Sequence, residues 1–197
     1  MDSFYKQLKT YGKVRTQESL AKHITYKIGG PAKYFITIKD ISHIPDLLRL
    51  VDGEGVKRII LGGGSNILFP DEGFDGVVIK IIDKHFAISG TQVEAVASAH
   101  MKDISQGTVS ASLAGFVWAI GVPGTIAGAL RGNAAYNGLA MEHAVSKVEV
   151  YRDGEVVELT QEECVFGPKD SVFKYNTDVI LRIWLELKKG DTQKIAQ

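Results

Sequence analysis

Net charge, disulfides and proline are what this sequence has least of. Its 23 basic side chains balance 23 acidic ones, and no local basic run stands out, so the field that draws a protein to nucleic acid or an anionic membrane surface is missing. The single cysteine, Cys164, excludes an internal disulfide, and the opening MDSFYKQLK has no apolar signal-peptide core; the expectation is a cytoplasmic protein. His23, His43, His85, His100 and His143 fall at no metal-ligand spacing, so no metal site is expected and the histidines read as surface or internally satisfied residues. From Ile104 to Leu130 no residue is charged, which is long enough for a membrane helix. Gly115, Gly121, Pro123, Gly124 and Gly128 interrupt that run and its ends are polar, so a membrane span is rejected.

Against those shortages stands an excess of glycine, 21 in 197 residues with only 5 prolines, where about 7% glycine is ordinary. The hydrophobic fraction of 45% suffices for a core, and the length allows one domain or two small ones. Residues 1–22 read as a helical or loose lead-in. Residues 34–39 read as a strand, followed behind a possible Asp40 cap by Ile41, Ile44, Leu47, Leu48 and Val51 at helical spacing. Strands at 57–61 and 76–82 complete a small α/β unit, and a boundary near residue 82 separates 1–82 from 83–197. In the second part the pattern gives a strand at 92–97, a helix over roughly 101–114 and a hairpin of 145–151 with 156–159 about an Asp153-Gly154 turn. A capping box at Thr160–Glu163 and a final strand at 179–187 follow. Strands joined by hairpins make the whole α+β.

Two glycine loops carry the chemistry. Gly62, Gly63 and Gly64, followed by Ser65 and Asn66, come directly after a strand, where consecutive glycines let backbone N–H groups converge into a concave donor array suited to a phosphate or pyrophosphate. A tight turn is the alternative. The third glycine of GxGxxG is replaced by Ile67 and no GxxxxGK[ST] occurs, so this is not an ordinary dinucleotide-fold or P-loop protein. The second loop, Gly121 to Ala129, has Pro123 on its approach, Gly124 and Thr125 where a helix begins, and Gly128 to permit close approach; the expectation is unpaired N–H donors at that helix start. Close helix packing is the alternative there. Two such loops in separate halves suit a dinucleotide held between two subdomains. Arg131 could meet a phosphate or simply face water. Tyr26, Tyr34, Phe35, Phe69 and Phe74 could flank a ring or lie in a core.

Four segments in order resemble a known family: TYKIGGPA (25–32), LGGGSNILFPDEGFDGVVIK (61–80), AGFVWAIGVPGTIAGALRGNAAYNG (114–138) and FGPKDSVFK (166–174). They are similar to the UDP-N-acetylenolpyruvoylglucosamine reductase (MurB) family over roughly residues 20–190. The resemblance implies two α/β subdomains of the FAD-binding type shared with vanillyl-alcohol oxidase, and noncovalent FAD between them. It implies Gly62, Gly63, Gly64, Ser65 and Asn66 on one wall, with Gly121, Pro123, Gly124, Thr125, Gly128, Asn133 and Ala134 on the other. It also implies a flavin-dependent oxidoreductase of peptidoglycan precursor synthesis, with NADPH as co-substrate and a nucleotide-sugar enolpyruvyl ether as substrate.

This chain departs from the family where the family reads Tyr-Arg-x-Ser. Here the segment is Pro168-Lys169-Asp170-Ser171, so Lys169 stands for the substrate-holding arginine, keeping its charge but not its bidentate fork. The family's Asn-Ala-Gly-Ala-Tyr-Gly is here Asn133-Ala-Ala-Tyr-Asn-Gly138. The resemblance places the proton-donating serine and a supporting glutamate in a third, C-terminal domain that residues 1–197 do not contain. Three readings follow: a reductase incomplete for catalysis, an accessory flavin module whose partner chain supplies the third domain, or a protein that no longer binds a nucleotide.

Overall fold

Eight-residue strands rich in isoleucine and valine, two in each, organise the two units into which the chain divides, Met1–Asp83 and Lys84–Gln197. The computed structural model describes residues 3–190. In the first unit the elements run α1 (Ser3–Tyr11), β1 (Lys13–Ser19), β2 (Pro31–Ile38), α2 (Ile44–Gly53), β3 (Arg58–Leu61) and β4 (Phe74–Ile81). The sheet order is β1-β2-β4-β3, with β2 and β3 parallel to β4 and β1 antiparallel to β2. The Asp40 carboxylate accepts from the Ser42 N–H at 2.9 Å and starts the turn that leads into α2. Ile44, Leu47, Leu48 and Val51 are buried at the expected helical spacing, each contributing about 1.5–3 kcal/mol of apolar burial. α1 meets the sheet through Phe4, whose ring stands edge-on to Tyr34 at 5.5 Å. A separate apolar cluster of Leu20, Ile24, Ala32, Phe35, Leu61, Phe69 and Val78 lies beneath the first glycine loop.

The second unit begins with β5 (Phe86–Ser89), β6 (Gln92–Val96), α3 (Met101–Ser110) and β7 (Leu113–Ala114). It continues through α4 (Ile126–Arg131), β8 (Ala135–Tyr136), β9 (Leu139–Ala140), β10 (Val145–Arg152), β11 (Glu155–Thr160), β12 (Val179–Glu186) and β13 (Lys188–Lys189). Its main sheet, β11-β10-β12-β6-β5, is antiparallel throughout. The β10–β11 hairpin turns at Asp153 and Gly154 with φ of 49° and 93°, the left-handed pair that a two-residue turn of matching twist requires. At the capping box, Thr160 N–H donates to Glu163 Oε2 at 2.8 Å and Glu163 N–H to Thr160 Oγ1 at 3.3 Å.

Two elements differ from the sequence expectation. Residues 13–19 form an edge strand rather than a loose lead-in, because KVRTQES pairs on one side only and buries no continuous face. α3 ends at Ser110, and Leu113–Ala114 leaves the helix to pair with Lys188–Lys189. No helix among the described residues is long and apolar enough to cross a membrane, and no group of metal-ligating side chains occurs among them.

Candidate functional site

The first glycine loop leaves β3 at Leu61, which is buried in the cluster beneath. Gly64 adopts φ +71°, and a methyl group on it would lie 2.3 Å from the His23 carbonyl oxygen and 2.9 Å from Ile24 Cα. Thr25 N–H donates to the Gly64 carbonyl at 2.9 Å. Only glycine fits there, since both the left-handed angle and the close approach exclude a Cβ. The backing segment is itself fixed: His23 Nε2 lies 2.9 Å from Glu18 Oε1, and its ring stacks on Phe35 with centroids 4.1 Å apart. That hydrogen bond is the main reason the Glu18 carboxyl is held below its usual range. Further along, Gly30 N–H donates to the Pro70 carbonyl at 2.9 Å, and a methyl on Gly30 would lie 2.0 Å from the Asp71 carbonyl oxygen. The 25–32 motif is thus the scaffold on which the glycine loop is laid.

Among the described residues, no protein acceptor takes the N–H groups of Gly62, Gly63, Gly64 or Asn66. Gly63 and Asn66 are exposed, Gly62 and Ser65 partly so, and Gly64 is buried against its backing. Uncommitted N–H donors on bare backbone at the carboxyl end of a strand are the donor set that a diphosphate takes.

The second loop behaves differently, and one expectation is corrected. The N–H groups at the start of α4 are already used: Ile126 donates to the Ala99 carbonyl at 2.9 Å and Ala127 to the Ala97 carbonyl at 3.1 Å. Gly128 N–H points to Thr125 Oγ1 at 3.4 Å, so Thr125 is the N-cap. Helix α4 therefore presents no free first-turn donors, because the chain after β6 runs alongside and takes them. What the loop offers instead is bare surface. A methyl on Gly121 would meet nothing within 4 Å, and one on Gly128 only Thr125 Oγ1 at 3.5 Å. Gly121, Pro123 and Gly128 are exposed, and Gly124 carries φ +111°.

Asn133 and Ala134 are structural in this arrangement. The buried Asn133 amide donates through Nδ2 to the Gly167 carbonyl at 2.9 Å and accepts through Oδ1 from Glu142 N–H at 3.1 Å. Ala134 N–H donates to the Ala129 carbonyl at 2.8 Å, and its own carbonyl accepts from Met141 N–H at 3.0 Å. Asn133 thereby joins the end of the second loop to the turn that bears Lys169, while Ala134 ties the end of α4 to Met141.

That turn is tight: Gly167 and Asp170 exchange N–H to carbonyl bonds of 3.1 and 3.0 Å around Pro168 and Lys169. Lys169 sits at φ +57°, a left-handed position that costs a lysine about 1–2 kcal/mol. Its Nζ donates to the Ala135 carbonyl at 3.3 Å, while Ser171 Oγ donates to the Arg131 carbonyl at 2.8 Å. Tyr175 Oη donates to Asp170 Oδ2 at 2.9 Å. This bond holds the Asp170 carboxyl below its usual range and raises the tyrosine hydroxyl. Lys169 is thereby presented, exposed and cationic, beside the Asn133–Gly138 segment.

A family model described as an FAD binding domain matches residues 32–160. UDP-N-acetylenolpyruvoylglucosamine reductase from Bacillus licheniformis is 34% identical over 203 residues, covering 100% of this chain and 67% of that protein. The chain belongs to the UDP-N-acetylenolpyruvoylglucosamine reductase family. The reductase of the same name from Halalkalibacterium halodurans is 35% identical, covering 94% of this chain and 63% of its own length. The chain therefore spans just under two thirds of several of its relatives. The solved UDP-N-acetylenolpyruvylglucosamine reductase from Thermus caldophilus superposes with a TM-score of 0.81 at 25% identity, covering 94% of this chain and 66% of that one. A variant of Phl p 4, a glucose oxidase, shares the fold with a TM-score of 0.72 at 14% identity.

Within this family likeness the sequence reading missed His23. Spacing groups it with the other histidines, yet it backs Gly64 through its own carbonyl. The available signal was position, since it stands two residues before the TYKIGGPA motif. Of the five aromatics noted, Tyr34, Phe35 and Phe69 are core residues while Tyr26 is 56% exposed, so only Tyr26 of these four is free to meet a ligand.

Proposed function

We propose that this chain is the FAD-binding part of a UDP-N-acetylenolpyruvoylglucosamine reductase and that it holds the cofactor noncovalently. The supporting observation is the loop after β3, whose Gly62, Gly63, Gly64 and Asn66 N–H groups are uncommitted while Gly64 is locked onto His23. In this reading those groups and Ser65 cradle the cofactor diphosphate. Gly121, Pro123, Gly124 and Thr125 line the cofactor as well, and Gly128 gives it room where a side chain would intrude. Asn133 and Ala134 act by positioning their loop. Bound FAD supplies the hydride chemistry, with NADPH as donor and an enolpyruvyl nucleotide sugar as acceptor.

The residues of this chain bind, orient and exclude water. Lys169 faces the substrate carboxylate as a point charge, so it neutralises but does not fix its plane.

An absorption spectrum with FAD titration tests the binding. The expected protein is yellow or turns yellow, and its Tm rises with FAD, because a ligand that binds only the folded state stabilises it. NADPH oxidation is expected with or without the enolpyruvyl substrate. A colourless protein whose Tm ignores FAD overturns the proposal.

A further inference from the structure

Two lysines of the first unit stand at the glycine loop without a carboxylate. Lys80 lies in β4 opposite Leu61, the last residue of β3 before Gly62. Strand alternation puts its side chain on the same face as Val78, and Val78 belongs with Leu61, Ile24 and Phe69 to the apolar cluster under the loop. Lys80 is partly buried there. Lys27 comes from the other side: it sits at φ +58°, two residues after Thr25, whose N–H holds the Gly64 carbonyl. Strand register brings one lysine to the loop and a loop hydrogen bond brings the other.

Among the described residues neither ammonium meets a carboxylate, whereas Lys33 in the same unit pairs with Asp75 at 3.0 Å. Burial, and then the charge of Lys27, pull the Lys80 ammonium below its usual range. A partly buried ammonium beside an apolar cluster, with the exposed Lys27 charge acting on it, costs free energy unless an anion joins it. The loop between them adds N–H donors, which direct an oxyanion but carry no net charge.

We infer that Lys80 and Lys27 are the counter-charges of this loop, binding the phosphate groups of the nucleotide cofactor that Gly62, Gly63, Gly64 and Asn66 orient. The inference rests on the reading of the chain as an FAD-binding protein, and it adds a cationic subsite to what would otherwise be a neutral cradle. The flavin ring plays no part in it, so a ligand's phosphates alone should report it.

Flavin fluorescence quenching with FAD and with riboflavin, on the 197-residue chain and its Lys80→Met, Lys27→Met and Lys80→Arg variants, tests this. Methionine keeps the stem, and circular dichroism checks the fold. Lys80→Met is expected to weaken FAD binding about tenfold at low salt, a loss typical of one charge-assisted bond, and Lys27→Met by less. Lys80→Arg restores most of the affinity, riboflavin binding is unchanged, and the salt dependence of FAD binding shrinks in both methionine variants. Unaltered FAD affinity in a folded Lys80→Met protein overturns the inference, as does an equal loss for riboflavin. Inorganic pyrophosphate separates the two readings. If the parent chain fails to bind FAD, the cofactor reading falls. The subsite survives only if pyrophosphate still raises the Tm of the parent chain and not of the Lys27→Met/Lys80→Met double variant.

Discussion

The two glycine loops use the same residue for opposite ends. In the first unit Gly64 is required by the chain itself, because its backbone lies against the His23 carbonyl, while the neighbouring N–H groups are left open. In the second unit the donors at the start of α4 are consumed by Ala97, Ala99 and Thr125, while Gly121 and Gly128 have space around them that the protein does not fill. One loop offers polarity and the other offers room. A glycine count cannot say which loop gives which.

The comparison breaks most visibly at Gly64. Gly64→Ala places a methyl 2.3 Å from a carbonyl oxygen at a left-handed φ, and the expected loss is about 2–4 kcal/mol, read as a lower urea midpoint together with lost FAD binding. Gly128→Ala should do the reverse. Its methyl has only Thr125 Oγ1 near it, at 3.5 Å, so a helical alanine gains about 0.5–1 kcal/mol while FAD affinity falls. Equal stability changes at the two sites would show that the loops do not differ as described.

A smaller effect tests the consumed donors of the second loop. Thr125→Ala removes the N-cap of α4 and should cost about 1 kcal/mol, with FAD affinity also reduced because Thr125 lines the cofactor in the proposed reading. Smaller again is Lys169→Gly. It relieves about 1 kcal/mol of left-handed strain and forfeits an exposed hydrogen bond worth about 0.5 kcal/mol, so the Tm should rise slightly while any dependence of NADPH turnover on the enolpyruvyl substrate declines.

Much of this was legible in the residues. The Asp40 cap, the apolar stripe of α2, the Asp153-Gly154 turn and the Thr160–Glu163 box all rest on local rules that the sequence states directly. The edge strand β1 was not legible, because a strand with one partner and two wet faces carries no alternation. Nor were the occupied donors of α4: they depend on Ala97 and Ala99, more than twenty residues earlier, whose carbonyls no periodicity reveals. Lys80 was hidden in the same way, since a lysine ending a strand pattern reads as solvated until register sets it opposite the residue before a glycine loop.

The smallest effect separates the units by pH. Glu18 belongs to the first unit only, and its carboxyl is held below the usual range chiefly by the hydrogen bond with His23. A carboxyl lowered in the folded state adds stability that is present above its unfolded value and is lost as pH falls through the folded one. The parent chain should therefore exceed Glu18→Gln in stability at neutral pH and converge with it in acid. Because His23 backs Gly64, the change should appear in the first unit, as faster amide exchange at Thr25, whose N–H bonds the Gly64 carbonyl. Exchange at Ile126 and Ala127 in the second loop should not respond. If all three amides speed up together, the two loops open as one unit, and their separate roles must be argued from ligand binding alone.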